Sequence, residues 1–234
     1  MSPTVVSSER TRPAPVSYRG LDYEITDYLG GHGYTGDVAD ASAPQAYIVH
    51  LRTPGGVIEP HYHDVDQFQV VVRGAGRIGR HELRVGSVHY VDQHTTYGPI
   101  VAGDGGIAYF TLRPSIAAGR YDMPESRRLK TVRSGAAFTV HADTAPASGL
   151  HVLAETARGA RAVVARLPAR AAVPEPVDGG SAYDLVLAGE VHSGGSVLPA
   201  DSCVFRRAGE DAFTGRAGPD GATLLHLAFP TGPR

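Results

Sequence analysis

The chain repeats itself at an almost constant interval, and this repeat limits its possible folds more than any other feature. The segment FQVVVRGAGRI (residues 68–78) resembles YDLVLAGEVHS (183–193) at a shift of 115 residues. The segment VAGDGGIAYFTLRP (101–114) resembles AGPDGATLLHLAFP (217–230) at a shift of 116 residues. Because two independent segments give nearly the same shift, we interpret the 234 residues as two copies of one unit.

The repeat divides the chain into four predicted segments. The two copies cover residues 21–115 and 137–234. Residues 116–136 show no strand pattern and are interpreted as a connector. Residues 1–20 are expected to form a flexible N-terminal arm, or a strand added to a neighbouring sheet.

Short apolar segments recur throughout both copies. They include AYIVHLR, FQVVVRG and IAYFTLRP in the first copy, and AYDLVLAG and TLLHLAFP in the second. Each is rich in β-branched or aromatic residues and is bounded by Gly, Pro, Asp or Ser, and the chain has 29 Gly and 17 Pro. This pattern is typical of many short strands in a sandwich or barrel, so the predicted fold is all-β.

Charge and cysteine content exclude several classes of protein. The net charge is -2, from 24 acidic and 22 basic side chains, which gives no electrostatic case for binding nucleic acid or an anionic membrane. No apolar run approaches the length of a membrane span, and the N-terminus lacks the apolar core of a signal peptide. The single cysteine, Cys203, excludes an internal disulfide framework. We therefore expect a cytoplasmic protein whose partner is a small-molecule substrate rather than nucleic acid or a membrane.

The stretch EPHYHDVDQFQVVVRG (59–74) contains the residues best suited to chemistry. His61 and His63 are two apart, so on a strand both side chains point to the same face. Two neutral imidazoles suit Fe, Ni, Zn, Mn or Cu as a divalent ion. A turn through DVD is expected to return Gln67 and Gln69 to the same interior.

The same stretch resembles the first cupin motif, Gly-x5-His-x-His-x3/4-Glu-x6-Gly. Gly55, His61, His63 and Gly74 fall on its spacing, whereas Gln67 stands where the family has Glu. The resemblance implies a bicupin, in which two tandem cupin jelly-roll barrels pack against each other.

The second cupin motif, Gly-x5-Pro-x-Gly-x2-His-x3-Asn, is matched less closely by GSVHYVDQHTTYGPIV. Gly86 is kept, but Tyr97 takes the place of the histidine ligand, and Val101 takes the place of Asn. His94, three residues before Tyr97, is the substitute ligand if the loop is shifted. The resemblance therefore implies a variant metal site with these candidate ligands: His61, His63, Gln67, Tyr97 and His94.

In the second copy the metal-binding positions are lost. The repeat places Pro176 opposite His61 and Asp178 opposite His63, and Ala182 opposite Gln67. The second cupin is therefore expected to be a degenerate partner domain that helps bury the first.

Several candidate residues have a structural alternative. Gln67 is either a weak neutral ligand or a hydrogen-bonding amide of the core. Tyr97 is a ligand, a general acid–base or an aromatic residue at the mouth of the barrel, and His94 is a ligand or a loop residue. Asp66 most simply serves the turn after His63, although it is the carboxylate nearest to the position of the missing Glu.

These observations favour a metal-dependent cupin enzyme that converts a small oxygen-rich molecule. The reaction is either a dioxygenase-type cleavage or a non-redox cyclisation, isomerisation, elimination or decarboxylation. Tyr97 would act as ligand or general acid–base, and Gln69 would orient the substrate. The alternatives are a bicupin that binds a small molecule without converting it, and a structural subunit. The resemblance also suggests a homodimer formed by sheet extension.

Overall fold

The computed structural model describes residues 2–37, 40–130, 135–175 and 180–231. The chain forms two compact units, one of Arg12–Val140 and the other of Met1–Thr11 together with His141–Arg234. Strands dominate both units, as the sequence predicts, and the helical segments of the described ranges are short 3₁₀ turns at Ser8–Arg10, Thr35–Asp37, Glu125–Leu129 and Ala142–Thr144.

The strands follow one another with few residues between them. The first eleven are β1 (Thr4–Val6), β2 (Pro13–Tyr18), β3 (Leu21–Leu29), β4 (Gln45–Leu51), β5 (Val57–Ile58), β6 (His61–Tyr62), β7 (Gln67–Ile78), β8 (His81–Arg84), β9 (Ser87–Val91), β10 (Ile100–Arg113) and β11 (Tyr121–Asp122). The others are β12 (Ala137–His141), β13 (Gly149–Glu155), β14 (Arg161–Leu167), β15 (Ala182–Ser193), β16 (Ser196–Pro199), β17 (Cys203–Arg206) and β18 (Arg216–Ala228).

A nine-stranded antiparallel sheet forms most of the unit of Arg12–Val140. Its strand order is β12-β9-β7-β10-β4-β3-β2, with β5 added to β10 and β8 added to β7. The long strands β7 and β10 lie at its centre, and the first half of β7 is buried on both faces. Strands buried on both faces often contain continuous apolar runs, as in residues 70–72, and here the two glutamines Gln67 and Gln69 are buried as well.

Strand β10 carries one row of side chains that matters for function. Tyr109, Thr111 and Arg113 alternate along it and share one face, because side chains two apart in a strand point the same way. Phe110 and Leu112 point to the opposite face and are fully buried. The strand pairs with β4 from Ile107–Leu51 to Arg113–Gln45, which fixes the position of the row.

A short strand pair places the two histidines. Strand β6 pairs with β11 so that Asp122 lies opposite His61 and Tyr121 lies opposite Tyr62. Strand β11 belongs to the segment 116–136, which the sequence analysis interprets as a connector without strands. Two residues of strand are too few to leave a pattern in a sequence, and the pairing is made with a segment 60 residues earlier.

The second unit contains a seven-stranded sheet in the order β1-β17-β15-β18-β14-β13, with β16 added to β15. Residues 1–20, expected as a flexible arm or an added strand, contribute β1 to this sheet and β2 to the sheet of the first unit, where β2 pairs with β3. Ala182 is fully buried at the start of β15. Pro176 and Asp178, the expected counterparts of the two histidines, lie outside the described residues.

The same glycine pair recurs in both sheets. Gly74 has φ +70°, and a Cβ there would collide with the carbonyl oxygen of Gly106. Gly189 has φ +72° and faces the carbonyl oxygen of Gly221 in the same way. Gly74 and Gly189 are 115 residues apart, and so are Gly106 and Gly221. The sequence alignment of residues 101–114 with 217–230 uses a shift of 116, so it is displaced by one residue at these glycines.

Throughout the described ranges, no helix is both long and apolar enough to cross a lipid bilayer.

Candidate active site

A cavity of about 210 Å³ opens in the unit of Arg12–Val140. It brings together four of the residues singled out from the sequence and two arginines that were not: His61, His63, Gln69, Tyr97, Arg113 and Arg120. Much of the remaining wall consists of tyrosines, namely Tyr18, Tyr23, Tyr34, Tyr47 and Tyr109. The cavity is therefore small, and its largely aromatic wall also carries imidazole, amide and guanidinium groups.

The two histidines are held in the same tautomer by main-chain carbonyls. His61 Nδ1 lies 2.7 Å from the carbonyl oxygen of Glu59, and His63 Nδ1 lies 2.7 Å from that of Gly119. Because a carbonyl can only accept a hydrogen bond, Nδ1 carries the proton in both rings. The lone pair of each imidazole is therefore on Nε2, and the ring centroids are 5.2 Å apart.

Burial keeps both imidazoles neutral. Desolvation, together with the charge of Arg120, lowers the pKa of His61 to about 3. Desolvation also lowers the pKa of His63 well below its usual value, and the charge of Arg113 acts in the same direction. Neutral imidazoles with a lone pair on Nε2 are the form that binds metal ions.

Tyr97 lies directly beside His61. The backbones of the two residues exchange hydrogen bonds of 3.1 Å in both directions. The Tyr97 hydroxyl donates to His61 Nε2 over 2.7 Å, since that nitrogen has no proton. Burial raises the pKa of Tyr97 to about 12, although Arg113 and Gln67 act to lower it, so the side chain is a neutral phenol at pH 7.

Gln67 belongs to a buried polar network with Arg113. Its Oε1 accepts a hydrogen bond of 3.0 Å from Arg113 Nε, and Arg113 Nη1 donates to Gln45 Oε1 over 2.6 Å. The amide of Gln45 in turn donates to the carbonyls of Gly31 and Gly33. The oxygen that would make Gln67 a metal ligand is therefore directed at a guanidinium, as in the core-amide alternative.

The structure places His94 and the acidic residues of the turn outside the cavity. The ring of His94 lies beside Tyr62, with 6.1 Å between centroids, and its backbone N–H donates to the carbonyl of His63. Asp66 accepts a hydrogen bond of 2.7 Å from the backbone of Gln93. These contacts stabilise the loops around the histidine pair. The side chains of His94 and Asp66 do not line the cavity.

Arg120 is positioned by the strand pair that also positions the histidines. Its Nε donates to Asp122 Oδ1 over 2.7 Å, and its guanidinium carbon lies 4.9 Å from the centre of the Tyr18 ring. Neither arginine was found from the sequence. For Arg113 a signal was available, because it continues the alternation of Tyr109 and Thr111. Arg120 lies in a segment without periodicity and gave none.

The cavity offers a divalent ion two imidazoles and a phenol hydroxyl as donor groups. His61 and His63 line the cavity with 5.2 Å between their ring centroids, and the Tyr97 hydroxyl lies 2.7 Å from His61 Nε2. Hydrogen bonds from the far ring nitrogens to carbonyls are usual for metal-binding histidines. In the part of the chain that the structure describes, no group of three or more His, Cys, Asp or Glu side chains is placed to hold a metal. The residues thus fit an ion held by two nitrogens and one hydroxyl, with no carboxylate to offset its charge.

Comparisons with known proteins identify the fold. Neither the protein-family profiles nor the curated proteins contain a match to this sequence. Among solved structures, a candidate dioxygenase from Nostoc punctiforme PCC 73102 matches with a TM-score of 0.64 and 12% identity, over 100% of this chain and 88% of that one. Oxalate decarboxylase from Bacillus subtilis, in a study of its Mn(II) centres, matches with a TM-score of 0.61 and 10% identity, over 100% of this chain and 79% of that one.

A third similar structure is the bacterial pirin YhhW from Escherichia coli, in complex with nickel(II). It has a TM-score of 0.55 and 12% identity, with 98% of this chain and 100% of that one covered. At these identities the similarity shows the fold alone. The chain has the all-β jelly-roll fold of the cupins, so this prediction is confirmed.

Proposed function

We propose that the protein is a metal-dependent enzyme of the cupin fold that converts a small oxygen-rich molecule in the cavity of the unit Arg12–Val140. The observation that carries the proposal is the shared tautomer of His61 and His63, both of which line the cavity. Main-chain carbonyls hold both Nδ1–H groups, so each ring has its lone pair on Nε2, and both rings line one cavity.

In this proposal His61, His63 and Tyr97 hold a divalent ion, with Gln67 and His94 outside the donor set. The ion, when bound, supplies Lewis acidity and, if it is iron, manganese, nickel or copper, redox chemistry. Tyr97 is a neutral phenol whose hydroxyl lies 2.7 Å from His61 Nε2, so it would have to give up its hydrogen bond to this nitrogen when His61 binds the ion. Gln69 lines the cavity and orients the substrate.

The reaction is either a dioxygenase-type cleavage, with dioxygen as the second substrate, or a non-redox cyclisation, isomerisation, elimination or decarboxylation. Structures named as a candidate dioxygenase and as an oxalate decarboxylase are among the similar folds, which supports both classes equally. The unit of His141–Arg234 is proposed to be a degenerate second cupin, and the active form is proposed to be a homodimer.

Metal content tests this proposal. Tag-free protein is analysed by elemental mass spectrometry after incubation with Mn²⁺, Fe²⁺, Ni²⁺, Cu²⁺ or Zn²⁺ and removal of the unbound ion. We expect about one ion per chain in the wild type, and loss of the ion in a His61→Ala, His63→Ala double variant. The matched control is His94→Ala, which removes a third imidazole of the same region from outside the cavity and is expected to retain the ion.

Tyr97→Phe tests the third donor. It removes the hydroxyl and keeps the ring, so we expect metal affinity to fall by about ten- to a hundredfold. Retention of the metal in the histidine double variant, or absence of metal from the wild type after every incubation, would overturn the metal proposal.

A binding protein without catalysis is the second candidate. It is favoured by the hydrogen bond from Arg113 to Gln67, which occupies the position that carries a carboxylate ligand in the cupin motif. A ligand that co-purifies and is recovered unaltered after long incubation with metal-loaded protein would support this candidate.

A further inference from the structure

We infer that the cavity takes a small carboxylate, whose anionic group is bound by the guanidinium of Arg120 within the positive field of Arg113. The inference rests on the proposed function only in placing the substrate in the cavity of His61 and His63. It adds the chemical class of the ligand and the residues that recognise its charge.

The first argument is the balance of charge in the cavity. Arg113 and Arg120 both line it, and among the described residues of its wall there is no Asp or Glu. Arg113 is 1% exposed, and the two acceptors described above, Gln67 and Gln45, are neutral amides. The neutral histidines add no negative charge to this wall, and Asp122, the carboxylate that pairs with Arg120, does not line it. A low-dielectric cavity with fixed positive charge favours an anion strongly.

The second argument is the geometry of Arg120. Among the described residues its acceptor is Asp122, which it binds through Nε, and its two Nη groups make no hydrogen bond to those residues. Asp122 does not line the cavity, and it is shared, because it also accepts a hydrogen bond of 2.6 Å from Tyr18 and lies 3.5 Å from Arg19. The Arg120 side chain is 15% exposed, and Asp122 and Tyr18 hold it in place. A guanidinium fixed at Nε with free Nη groups is suited to a carboxylate.

The third argument concerns the rest of the ligand. The volume of about 210 Å³ is below the usual range for drug-sized pockets, and tyrosine rings form much of the wall. Gln69 is 7% exposed, and its Oε1 has no hydrogen-bond partner among the described residues. A buried acceptor of this kind requires a donor. The ligand is therefore a small carboxylate with an aromatic or apolar body and a hydroxyl or amino group.

The test compares carboxylates with their uncharged amides in metal-free protein. Benzoate, 4-hydroxybenzoate and malonate are titrated by calorimetry beside benzamide, 4-hydroxybenzamide and malonamide, after treatment with EDTA. We expect at least one carboxylate to bind, about tenfold or more tightly than its amide. In Arg120→Gln the affinity for that carboxylate falls by about ten- to a hundredfold.

Arg19→Gln is the matched control. It removes the same charge from a neighbour of the same Asp122, but Arg19 does not line the cavity, so binding stays within about twofold of the wild type. Equal binding of acids and amides by the wild type, or no binding of any carboxylate, would overturn the inference without recourse to a variant.

The two proposals fail separately. Carboxylate binding that depends on Arg120, in a protein that never retains metal, supports this inference and removes the metal-dependent function. Metal retention that depends on His61 and His63, in a protein that binds no carboxylate, does the reverse.

Discussion

Arg113 combines three roles in one buried side chain. It satisfies the amide oxygens of Gln67 and Gln45, it packs 5.8 Å from the centre of the Tyr47 ring, and its charge contributes to the low pKa of His63. A buried cation is costly unless its donors are satisfied, so the hydrogen bonds to Gln67 and Gln45 stabilise a positive charge in the site. At position 67, where the cupin motif has a glutamate ligand, Arg113 binds the amide oxygen of Gln67.

Arg113→Ala is expected to lower the free energy of unfolding by about 3–5 kcal/mol. The change leaves two buried amide oxygens without their donor and opens a cavity at the end of β10. Urea denaturation followed by circular dichroism measures the loss.

Two further variants interpret that result. Arg113→Lys keeps the charge but cannot donate to both amides in the same geometry, so its loss should be smaller than that of Arg113→Ala. Arg128→Ala removes an exposed arginine and should change stability by less than about 0.5 kcal/mol. An Arg113→Ala variant as stable as Arg128→Ala would show that the amide network contributes little.

At the scale of elements, the strands with strong local patterns were predictable and the short strand pair was not. The segments AYIVHLR, FQVVVRG and IAYFTLRP correspond to β4, β7 and β10, because a run of apolar and β-branched residues between turns is a local signal. Strand β11 has two residues and exists through its pairing with β6. A local pattern in the sequence does not reveal a contact of that kind, so the sequence predicts only a connector over residues 116–136.

The candidate site, too, is predictable from the sequence only where the signal is local. The spacing of His61 and His63 predicts a shared face, and both side chains line one cavity. The orientation of Gln67 could not be predicted, because it depends on Arg113, 46 residues away in sequence. The tautomer of His63 likewise depends on the carbonyl of Gly119, which is 56 residues away.

Asp122 connects the pairing of β6 and β11 to the charge of the site. It is buried and accepts hydrogen bonds from Tyr18 and Arg120. Burial acts to raise its pKa, but the hydrogen bonds from Tyr18 and Arg120, together with nearby positive charge, outweigh this effect, so its pKa is below the ordinary value of 3.8. The stabilisation by this carboxylate is therefore complete above that value and is lost as the pH falls through the lowered pKa.

Asp122→Asn is thus expected to lower the free energy of unfolding at pH 7 by about 1.5–3 kcal/mol, the usual contribution of hydrogen bonds to a charged group. The difference from the wild type should shrink below about pH 4, where the wild-type carboxylate begins to take up a proton. Urea denaturation of both proteins at several pH values between 7 and 3 measures this convergence. Glu125→Gln, which changes a carboxylate that is 61% exposed, is the control and should have little effect at any pH.

At the scale of the whole molecule, the two sheets share the same glycine geometry at equivalent positions. Gly74 pairs with Ile107 across β7 and β10, and Gly189 pairs with Ala222 across β15 and β18. In each sheet a positive φ at the first glycine accompanies a close approach to the carbonyl that precedes the paired residue. The repeat in the sequence thus corresponds to a shared backbone geometry as well as to shared apolar residues.

This geometry makes a matched prediction for the two units. Gly74→Ala and Gly189→Ala are each expected to lower the free energy of unfolding by at least about 2 kcal/mol, because alanine is disfavoured at positive φ and its Cβ would meet a carbonyl oxygen that sheet pairing holds in place. Gly105→Ala is the control, since its Cβ would have no heavy atom within 4 Å and its φ is not positive. Thermal and urea unfolding of the three variants provide the comparison. If Gly189→Ala were as stable as Gly105→Ala while Gly74→Ala were destabilised, the close approach would be a requirement of the first sheet alone, and the glycines would cease to be evidence for a common origin of the two units.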